Sequence, residues 1–236
     1  MTTCLLVRHG QSQANVDGVL AGHLESTLTE EGVRQARRVA EQLRTVPLRC
    51  LVTSPLSRCR ATAAEIATAR PDLAPPQVEE RLAEVRYGAW TGRSLSELAR
   101  EELWGTIQAA PSRVVFPADD THAHEAMSEM AARAWAAWLD WDAQVAAEHG
   151  ENAVWALVSH GDVIKAVLAR ALGLDLDSFQ SIVVDPASVS IVHHAAERTA
   201  VTGLNLREDT FLRLTRTEDV SADSASVVGI VGGGNG

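Results

Sequence analysis

Two stretches far apart in the chain place a histidine and a glycine directly after an apolar run. The first, LLVRHG, ends in Arg8, His9 and a glycine, and the second, ALVSHG, ends in His160 and a glycine. A third apolar run, LVTSP, is followed three residues later by Arg58. If the three stretches meet, two guanidinium groups and two imidazoles surround one point. Such a set suits a dianion, and the planar fork of arginine matches a phosphate group.

A phosphate monoester could be cleaved in such a pocket. Displacement at phosphorus needs an in-line nucleophile, neutralisation of the phosphoryl oxygens and a proton for the leaving oxygen. A neutral imidazole is a competent nucleophile near neutral pH if its second nitrogen carries the proton. Gly10 lets the backbone fold close to His9, so that a carbonyl can hold that proton. Arg8 and Arg58 are expected to clamp the oxygens, and His160, protonated beside them, to add a donor.

The leaving oxygen needs an acid that arginine cannot provide. Glu84 lies in the stretch RLAEVRYGAWTG, close to a sharp turn and to Tyr87 and Trp90. An apolar wall would raise the pKa of this carboxyl and keep a proton available. Glu79 and Glu80 suit the role less well because they belong to a solvated run of charges.

The elements that must position these residues alternate between strand and helix. This alternation predicts an α/β fold, with a mostly parallel central sheet flanked by helices in three layers. The stretches SVSIVHHA and TAVTGLNL are predicted as edge or antiparallel strands. One domain is predicted over residues 1–216, and the Ser-, Asp- and Gly-rich residues 217–236 are predicted as a disordered tail. The main predicted elements are a strand ending at residue 10, a helix over 29–44, a strand over 49–54, a helix from Pro55 to residue 70 and a long helix from about 124 to 148.

Charge and hydropathy limit the classes of partner. The 236-residue chain has a formal net charge of −10, which argues against nucleic acid or an anionic membrane as a partner. No apolar run approaches the roughly 20 residues needed to span a bilayer, and no signal peptide is recognisable. The three cysteines are odd in number and lack a CxxC spacing, as expected for buried thiols in a reducing compartment. A cytoplasmic location is therefore expected.

Five stretches, in order between residues 4 and 175, resemble the motifs of one family. They are RHGQSQAN, STLTEEGVRQA, TSPLSRCRATA, LAEVRYGAWTG and VSHGDVIKAVL. They are similar to motifs of the histidine phosphatase superfamily, which contains cofactor-dependent phosphoglycerate mutases and many phosphatases. The resemblance implies a phosphoglycerate mutase-like fold and a metal-independent phosphatase that needs no cofactor and acts on a small phosphorylated metabolite. It also implies His9 as the phosphorylated nucleophile, Glu84 as the proton donor, and a phosphate pocket of Arg8, Asn15, Arg58 and His160.

One segment departs from the family pattern. Members commonly carry P-G-G-E-S before the long helix, whereas this chain reads FPADDTHAHEAMSEMAAR over residues 116–133. Glu125 and Arg133 keep their places, but the glycines are replaced by polar residues. Because this segment flanks the substrate mouth in the family, the resemblance leaves the natural substrate open.

Two other functions are compatible with the same residues. A phosphoglycerate mutase would use the same residues but return the phosphoryl group to its substrate. The stretch VDGVLAGHLEST after Asn15 lacks the Asn- and Trp-bearing loop typical of true mutases, which favours a phosphatase. A non-catalytic binder of phosphorylated ligands is the second alternative, although all the catalytic residue types are present.

Each candidate residue also has a plainer interpretation. The two histidines could be satisfied core residues, Glu84 an ordinary surface acid, and Arg58 the partner of a glutamate on a helix face. His122 and His124 beside Asp119 and Asp120 lie in a polar loop, which is weak support for a metal site, so none is expected. Trp135, Trp138 and Trp141 recur at helical spacing and are predicted as core residues or as the contact of a homodimer.

Overall fold

A six-stranded sheet lies at the centre of the computed structural model, which describes residues 1–196 and 198–208. Its strands are β1 (Thr2–Arg8), β2 (Leu48–Thr53), β3 (Gln77–Val78), β4 (Val154–Ser159), β5 (Val189–Ala195) and β6 (Arg198–Leu206). Their spatial order is β3-β2-β4-β1-β5-β6, and the first four run parallel. Strand β5 is antiparallel to both of its neighbours, and β6 lies at the edge. The prediction of a mostly parallel sheet is confirmed, and the two stretches predicted as edge or antiparallel strands form β5, which is antiparallel to its neighbours, and β6, which lies at the edge.

The helices lie close to their predicted positions. Thr29 caps the first long helix, because its hydroxyl accepts a hydrogen bond from the backbone N–H of Gly32. The longest helix begins at Met127 rather than near residue 124, because His124 and Ala126 pair as isolated β-bridges with Tyr87 and Val115. In chain order the helices are α1 (Gln13–Asp17), α2 (Glu30–Leu43), α3 (Ser57–Ala69), α4 (Leu95–Leu98), α5 (Glu102–Ala109), α6 (Met127–His149) and α7 (Gly161–Ala171). Short 3₁₀ turns cover Glu80–Leu82, Gly88–Trp90, Pro111–Arg113 and Leu176–Ser181.

Side chains along β1 point alternately to the two faces of the sheet. Helices cover both faces, which gives the predicted three layers. Leu5 and Val7 pack in one hydrophobic cluster with residues of α2 and α3. Cys4 and Leu6 point to the opposite face and pack in a second cluster with residues of α6 and α7. Trp138 is fully buried in this second cluster, which supports its interpretation as a core residue.

The carboxyl ends of β1, β2 and β4 meet at one edge of the sheet, which is where ligands bind in open α/β folds. The backbone N–H of His9 donates to the carbonyl of Ser159, and that of Ser54 donates to the carbonyl of Val158. The residues that follow the three strands are thereby held side by side. Their side chains form the candidate site.

Two further expectations concern the extent of the chain. Residues 217–236 lie outside the described residues, so the single domain over 1–216 and its tail stay predictions. Within the described ranges, none of the helices combines the length and the apolar character that a membrane crossing requires.

Candidate active site

A small pocket at the carboxyl edge of the sheet brings four of the predicted site residues together. His9, Asn15, Arg58 and Glu84 all line it, and its volume is about 20 Å³. His160 lies directly behind His9, and Arg8 is buried beside them outside the pocket wall. The remaining lining residues are Ser12, Ala14, Val19, Leu20, Ala21, Gly22 and Tyr87.

The ring of His9 is held in one tautomer. Nδ1 lies 2.7 Å from the carbonyl oxygen of Gly10, and because a carbonyl only accepts hydrogen bonds, Nδ1 carries the proton. Burial lowers the pKa of His9 well below its usual value, and the charges of Arg58 and Arg8 lower it further. The ring is therefore neutral, with a lone pair on Nε2. The predicted role of a carbonyl beside Gly10 is confirmed.

Two glycines hold the backbone that carries His9. A Cβ on Gly10 would collide with the carbonyl oxygen of Gly32, and a Cβ on Gly32 would collide with the carbonyl oxygen of Gln11. The backbone N–H of Gly10 also donates to the hydroxyl of Thr62 on α3, over 3.1 Å. The loop after β1 is thus packed directly onto α2 and α3.

Arg58 is fixed by the loop that covers the pocket. Its guanidinium donates to the carbonyls of Gly22, over 2.8 Å, and Leu24, over 3.4 Å, and the residue is 3% exposed. It forms no ion pair within the described ranges, and Glu65 on the same helix pairs with Arg37 instead, so the alternative of a pair with a glutamate on a helix face is wrong. A buried, positively charged fork is thereby aimed at the space beside His9.

Asn15 and Arg8, two further predicted phosphate ligands, differ in how far they reach the pocket. Oδ1 of Asn15 accepts hydrogen bonds from the backbone N–H and the hydroxyl of Ser12, which leaves the amide NH₂ group for a ligand. The guanidinium of Arg8 donates to the carbonyl of Val184 over 2.6 Å. Burial lowers the pKa of Arg8. Arg8 therefore contributes positive charge beneath the pocket.

His160 is packed edge-on against His9, with 5.3 Å between the ring centroids. Its Nε2 lies 2.7 Å from the hydroxyl of Ser54 and 3.4 Å from the thiol sulfur of Cys59, and the residue is fully buried. Burial lowers the pKa of His160 well below its usual value, and the charge of Arg58 lowers it further. The expectation that His160 is protonated is therefore wrong for this structure, because complete burial, together with the charge of Arg58, disfavours the imidazolium.

Glu84 lies on the other side of His160, with 3.9 Å between Oε2 and Nδ1 of the imidazole. The carboxyl is 4% exposed, and its Oε1 accepts a hydrogen bond from the backbone N–H of Val85. Burial raises the pKa of Glu84 to about 7, with a further contribution from the charge of Asp162. The carboxyl is therefore buried and partly protonated at neutral pH, as expected of a general acid rather than a surface residue.

Asp162 is a residue of the site that the sequence did not indicate. It is fully buried at the start of α7, and its Oδ2 accepts a hydrogen bond of 2.7 Å from the hydroxyl of Tyr87. A signal was available, because Asp162 follows the Ser-His-Gly motif directly and a charged residue within an apolar helix needs a polar partner. Tyr87 was predicted only as part of an apolar wall.

Arg133 supports the backbone around Glu84. Its guanidinium donates to the carbonyls of Arg81, Ala83 and Glu84 over 2.7–3.0 Å. It also forms a two-point contact with the carboxylate of Glu125, over 2.6 and 3.0 Å. Glu125 and Arg133, which keep their places in the divergent segment, therefore support the loop that carries Glu84.

The polar loop that carries His122 and His124 is a weak candidate for a metal site. Nδ1 of His122 lies 3.0 Å from Oδ2 of Asp119, so these two side chains pair with each other. Within residues 1–196 and 198–208, the histidine, cysteine, aspartate and glutamate side chains form no group of three that could hold a metal ion.

Comparisons with known proteins agree with this geometry. Residues 4–207 match the family model of the histidine phosphatase superfamily, branch 1. The chain is 30% identical over 214 residues to phosphoserine phosphatase 1 of Hydrogenobacter thermophilus, covering 87% of this chain and 93% of that protein. It is 33% identical over 178 residues to a probable phosphoglycerate mutase, GpmB, of Proteus mirabilis, covering 74% and 76%. The solved structure of YhfR of Bacillus stearothermophilus superimposes with a TM-score of 0.73 at 27% identity, covering 86% and 96%.

Proposed function

This chain belongs to the histidine phosphatase superfamily and is a phosphatase, and from this premise we propose that it hydrolyses small phosphate monoesters through a phosphohistidine on His9. The observation that carries the proposal is the hydrogen bond between Nδ1 of His9 and the carbonyl of Gly10. That bond leaves Nε2 unprotonated inside a pocket whose buried guanidinium, from Arg58, suits a phosphoryl group.

In the first half-reaction, Nε2 of His9 attacks phosphorus and the bond between phosphorus and the ester oxygen breaks. Glu84 gives its proton to the departing oxygen, so that an alcohol leaves rather than an alkoxide. Arg58 and the amide NH₂ of Asn15 bind the phosphoryl oxygens. Arg8, a fixed positive charge, and His160, a neutral imidazole, are buried next to this pocket without lining it.

In the second half-reaction, water attacks the phosphohistidine. Glu84 is now a carboxylate and takes a proton from that water, while the bond between phosphorus and Nε2 breaks. Inorganic phosphate leaves, and both His9 and Glu84 return to their starting protonation states. A pKa of about 7 for Glu84 suits both halves, because neither of its two forms is strongly disfavoured at neutral pH.

The proposal is tested by trapping the intermediate. The wild-type chain is mixed with a radiolabelled phosphate monoester and quenched in alkali, in which phosphohistidine is stable, and the label is mapped to a peptide. We expect label on the peptide that contains His9, none in His9→Ala, and loss of phosphate release by about 100-fold or more in that variant. Equal rates of p-nitrophenyl phosphate hydrolysis in both proteins would instead support a binding protein.

Mutase activity is a second candidate because one relative is a probable phosphoglycerate mutase. The two activities share the phosphohistidine and differ in its fate. Release of inorganic phosphate and isomerisation of 3-phosphoglycerate are measured on the same sample. We expect phosphate release to dominate, and dominant isomerisation would overturn the proposed hydrolysis.

Three finer proposals accompany the activity. Independence of metal ions is supported by the arginine and histidine character of the pocket, and undiminished activity after dialysis against EDTA would test it. A cytoplasmic location is supported by the thiols of Cys4, Cys50 and Cys59, which form no disulfide. Cell fractionation tests the location.

The third proposal is a homodimer in which α6 forms the contact between the two copies. Light scattering of the purified chain tests it.

A further inference from the structure

One peptide unit, between Gly10 and Gln11, takes part in two hydrogen bonds at its opposite ends. Its carbonyl oxygen lies 2.7 Å from Nδ1 of His9, the proposed nucleophile. Its N–H donates over 2.8 Å to Oε1 of Gln35 on α2. A trans peptide is flat and its C=O and N–H point in opposite directions, so the direction of one group determines that of the other. Gln35 and the ring of His9 are therefore connected through this one peptide.

Gln35 is buried with its acceptor facing this peptide. The residue is 7% exposed and lies on the buried face of α2, as Gly32 and Ala36 do. A backbone N–H only donates, so the atom of the Gln35 side chain that faces Gln11 is its amide oxygen. A buried N–H needs a partner, and Oε1 of Gln35 is the partner that the N–H of Gln11 has in this structure.

The preceding peptide, between His9 and Gly10, is held by other residues. Its N–H donates to the hydroxyl of Thr62, and its carbonyl accepts from the backbone N–H of Ala187. These contacts fix the path of the loop but leave the next peptide a separate rigid unit. Glycine allows more backbone conformations than other residues, so Gly10 lets that next peptide rotate unless a contact holds it. Gln35 provides such a contact.

The orientation of the peptide between Gly10 and Gln11 decides which nitrogen of His9 can react. With the carbonyl of Gly10 beside it, Nδ1 carries the proton, and Nε2 keeps the lone pair that an attack on phosphorus needs. If the peptide turned over, its N–H would face Nδ1, and a donor at that position favours the tautomer with the proton on Nε2. That tautomer has no lone pair directed at the substrate. Hydrogen bonds at the two ends of one amide also strengthen each other.

We propose that Gln35 is a positioning residue for the nucleophile: it holds the peptide between Gly10 and Gln11 in the orientation that keeps the proton of His9 on Nδ1. The inference rests on the proposed phosphohistidine and adds a residue that lies outside the catalytic pocket and acts through the backbone. It also gives a role to the glutamine of the stretch STLTEEGVRQA, which takes no other part in the proposed mechanism.

The tautomer of His9 is measured by NMR on protein labelled with ¹⁵N in its histidines. Two-bond ¹H–¹⁵N correlation spectra at neutral pH show which ring nitrogen carries the proton, and comparison with His9→Ala identifies the signals. We expect the Nδ1–H form alone in the wild type and a mixture of both forms in Gln35→Met, which keeps the length of the side chain without a strong acceptor. In that variant the rate at which p-nitrophenyl phosphate labels His9 should fall by about tenfold, the effect of one lost hydrogen bond, while KM stays within about threefold.

Gln35→Glu and Gln42→Met are the matched variants. Glutamate keeps an acceptor oxygen at the same position along the side chain, so Gln35→Glu should recover the single tautomer and most of the rate that Gln35→Met loses. Gln42 is exposed and lies about two turns further along the same side of α2, so Gln42→Met should behave as the wild type does.

A single Nδ1–H tautomer in Gln35→Met, or an unchanged rate of labelling, would overturn this inference, even if the variant unfolded more easily. If Gln35→Met does not fold, the same measurements are made on Gln35→Asn, whose shorter side chain draws the amide oxygen away from Gln11. Absence of label on His9 in the wild type would instead contradict the phosphohistidine itself, and the NMR spectra would still decide the role of Gln35.

Discussion

Oε2 of Glu84 lies 3.9 Å from Nδ1 of His160, and both side chains are buried. In water, a carboxyl and an imidazole this close would form an ion pair at neutral pH. Here burial raises the pKa of Glu84 to about 7 and lowers the pKa of His160 well below its usual value. The pair therefore favours its uncharged forms, in which the carboxyl keeps a proton that it can donate.

The first prediction concerns the pH dependence of phosphoryl transfer. Below the pKa of about 7, Glu84 is protonated and can donate to the leaving oxygen, and above it the acid form is lost by about tenfold for each pH unit. For an alkyl phosphate, kcat/KM should therefore fall as the pH rises above about 7. For p-nitrophenyl phosphate, whose leaving group needs no proton, the fall should be much smaller.

Glu84→Gln provides the control for this assignment. It should lower kcat/KM for alkyl phosphates by about 100-fold or more and abolish the dependence above pH 7. Its effect on kcat/KM for p-nitrophenyl phosphate should be clearly smaller. This constant reports the steps up to formation of the phosphohistidine, and in those steps the p-nitrophenyl leaving group needs no proton. The same loss on both substrates would argue that Glu84 shapes the pocket instead of donating a proton.

The second prediction concerns Asp162, whose charge is the largest contribution to the raised pKa of Glu84 after burial. The charges of Arg58 and Arg8 act on the same carboxyl in the opposite direction. Asp162→Asn removes the negative charge at nearly the same size, so it should move the alkaline limb of the alkyl phosphate profile to lower pH. Tyr87→Phe removes the hydrogen bond to Asp162 and keeps that charge, so it should move the limb much less. Equal shifts in the two variants would contradict this explanation.

The sequence was sufficient to predict the frame of the site. Apolar runs that end in Arg8-His9 and in His160 identify strands whose carboxyl ends meet, because parallel neighbours of a sheet finish at the same edge. The tautomer of His9 was also predictable, because a glycine directly after it allows the carbonyl of residue 10 to come close. These features depend on local sequence and on the general geometry of α/β folds.

The protonation of His160 and the contacts of Arg133 were not predictable in the same way. The pKa of His160 depends on complete burial and on the positions of Arg58 and His9, which come from other parts of the chain. Arg133 donates to carbonyls of residues about 50 positions earlier. A contact between residues so far apart in the chain cannot be predicted from a local sequence pattern. Burial and long-range packing decide both features, and a single sequence shows neither.

The third prediction concerns the close approach of the loop after β1 to α2. In Gly32→Ala, the new Cβ would collide with the carbonyl oxygen of Gln11, so the backbone next to His9 must shift. We expect the free energy of unfolding, measured by urea titration, to fall by about 1–3 kcal/mol. Phosphate release should fall as well, because Gln11 is two residues from the nucleophile.

Gly105→Ala is the matched control for Gly32→Ala. Gly105 lies within helix α5, and a Cβ placed on it has no neighbour within 4 Å. Because alanine favours a helix more than glycine does, this substitution should raise the free energy of unfolding by about 0.5–1 kcal/mol without an effect on activity. A Gly32→Ala protein as stable as the wild type would show that the loop adapts without cost.

The last prediction separates substrate choice from chemistry by shortening the segment over residues 118–124. The carbonyls of Pro117 and Ala123 accept hydrogen bonds from the backbone N–H groups of Ala89 and Gly88, so both residues should be kept. Two glycines in place of residues 119–122 would remove the side chains of Thr121 and His122 from the pocket of about 180 Å³ that they line beside the catalytic pocket, and leave the residues around His9 unchanged. We expect KM to change differently among phosphorylated substrates, while the rate at which p-nitrophenyl phosphate labels His9 in a rapid-quench experiment stays within about threefold. An equal loss in both measurements would show that the segment supports the catalytic pocket itself.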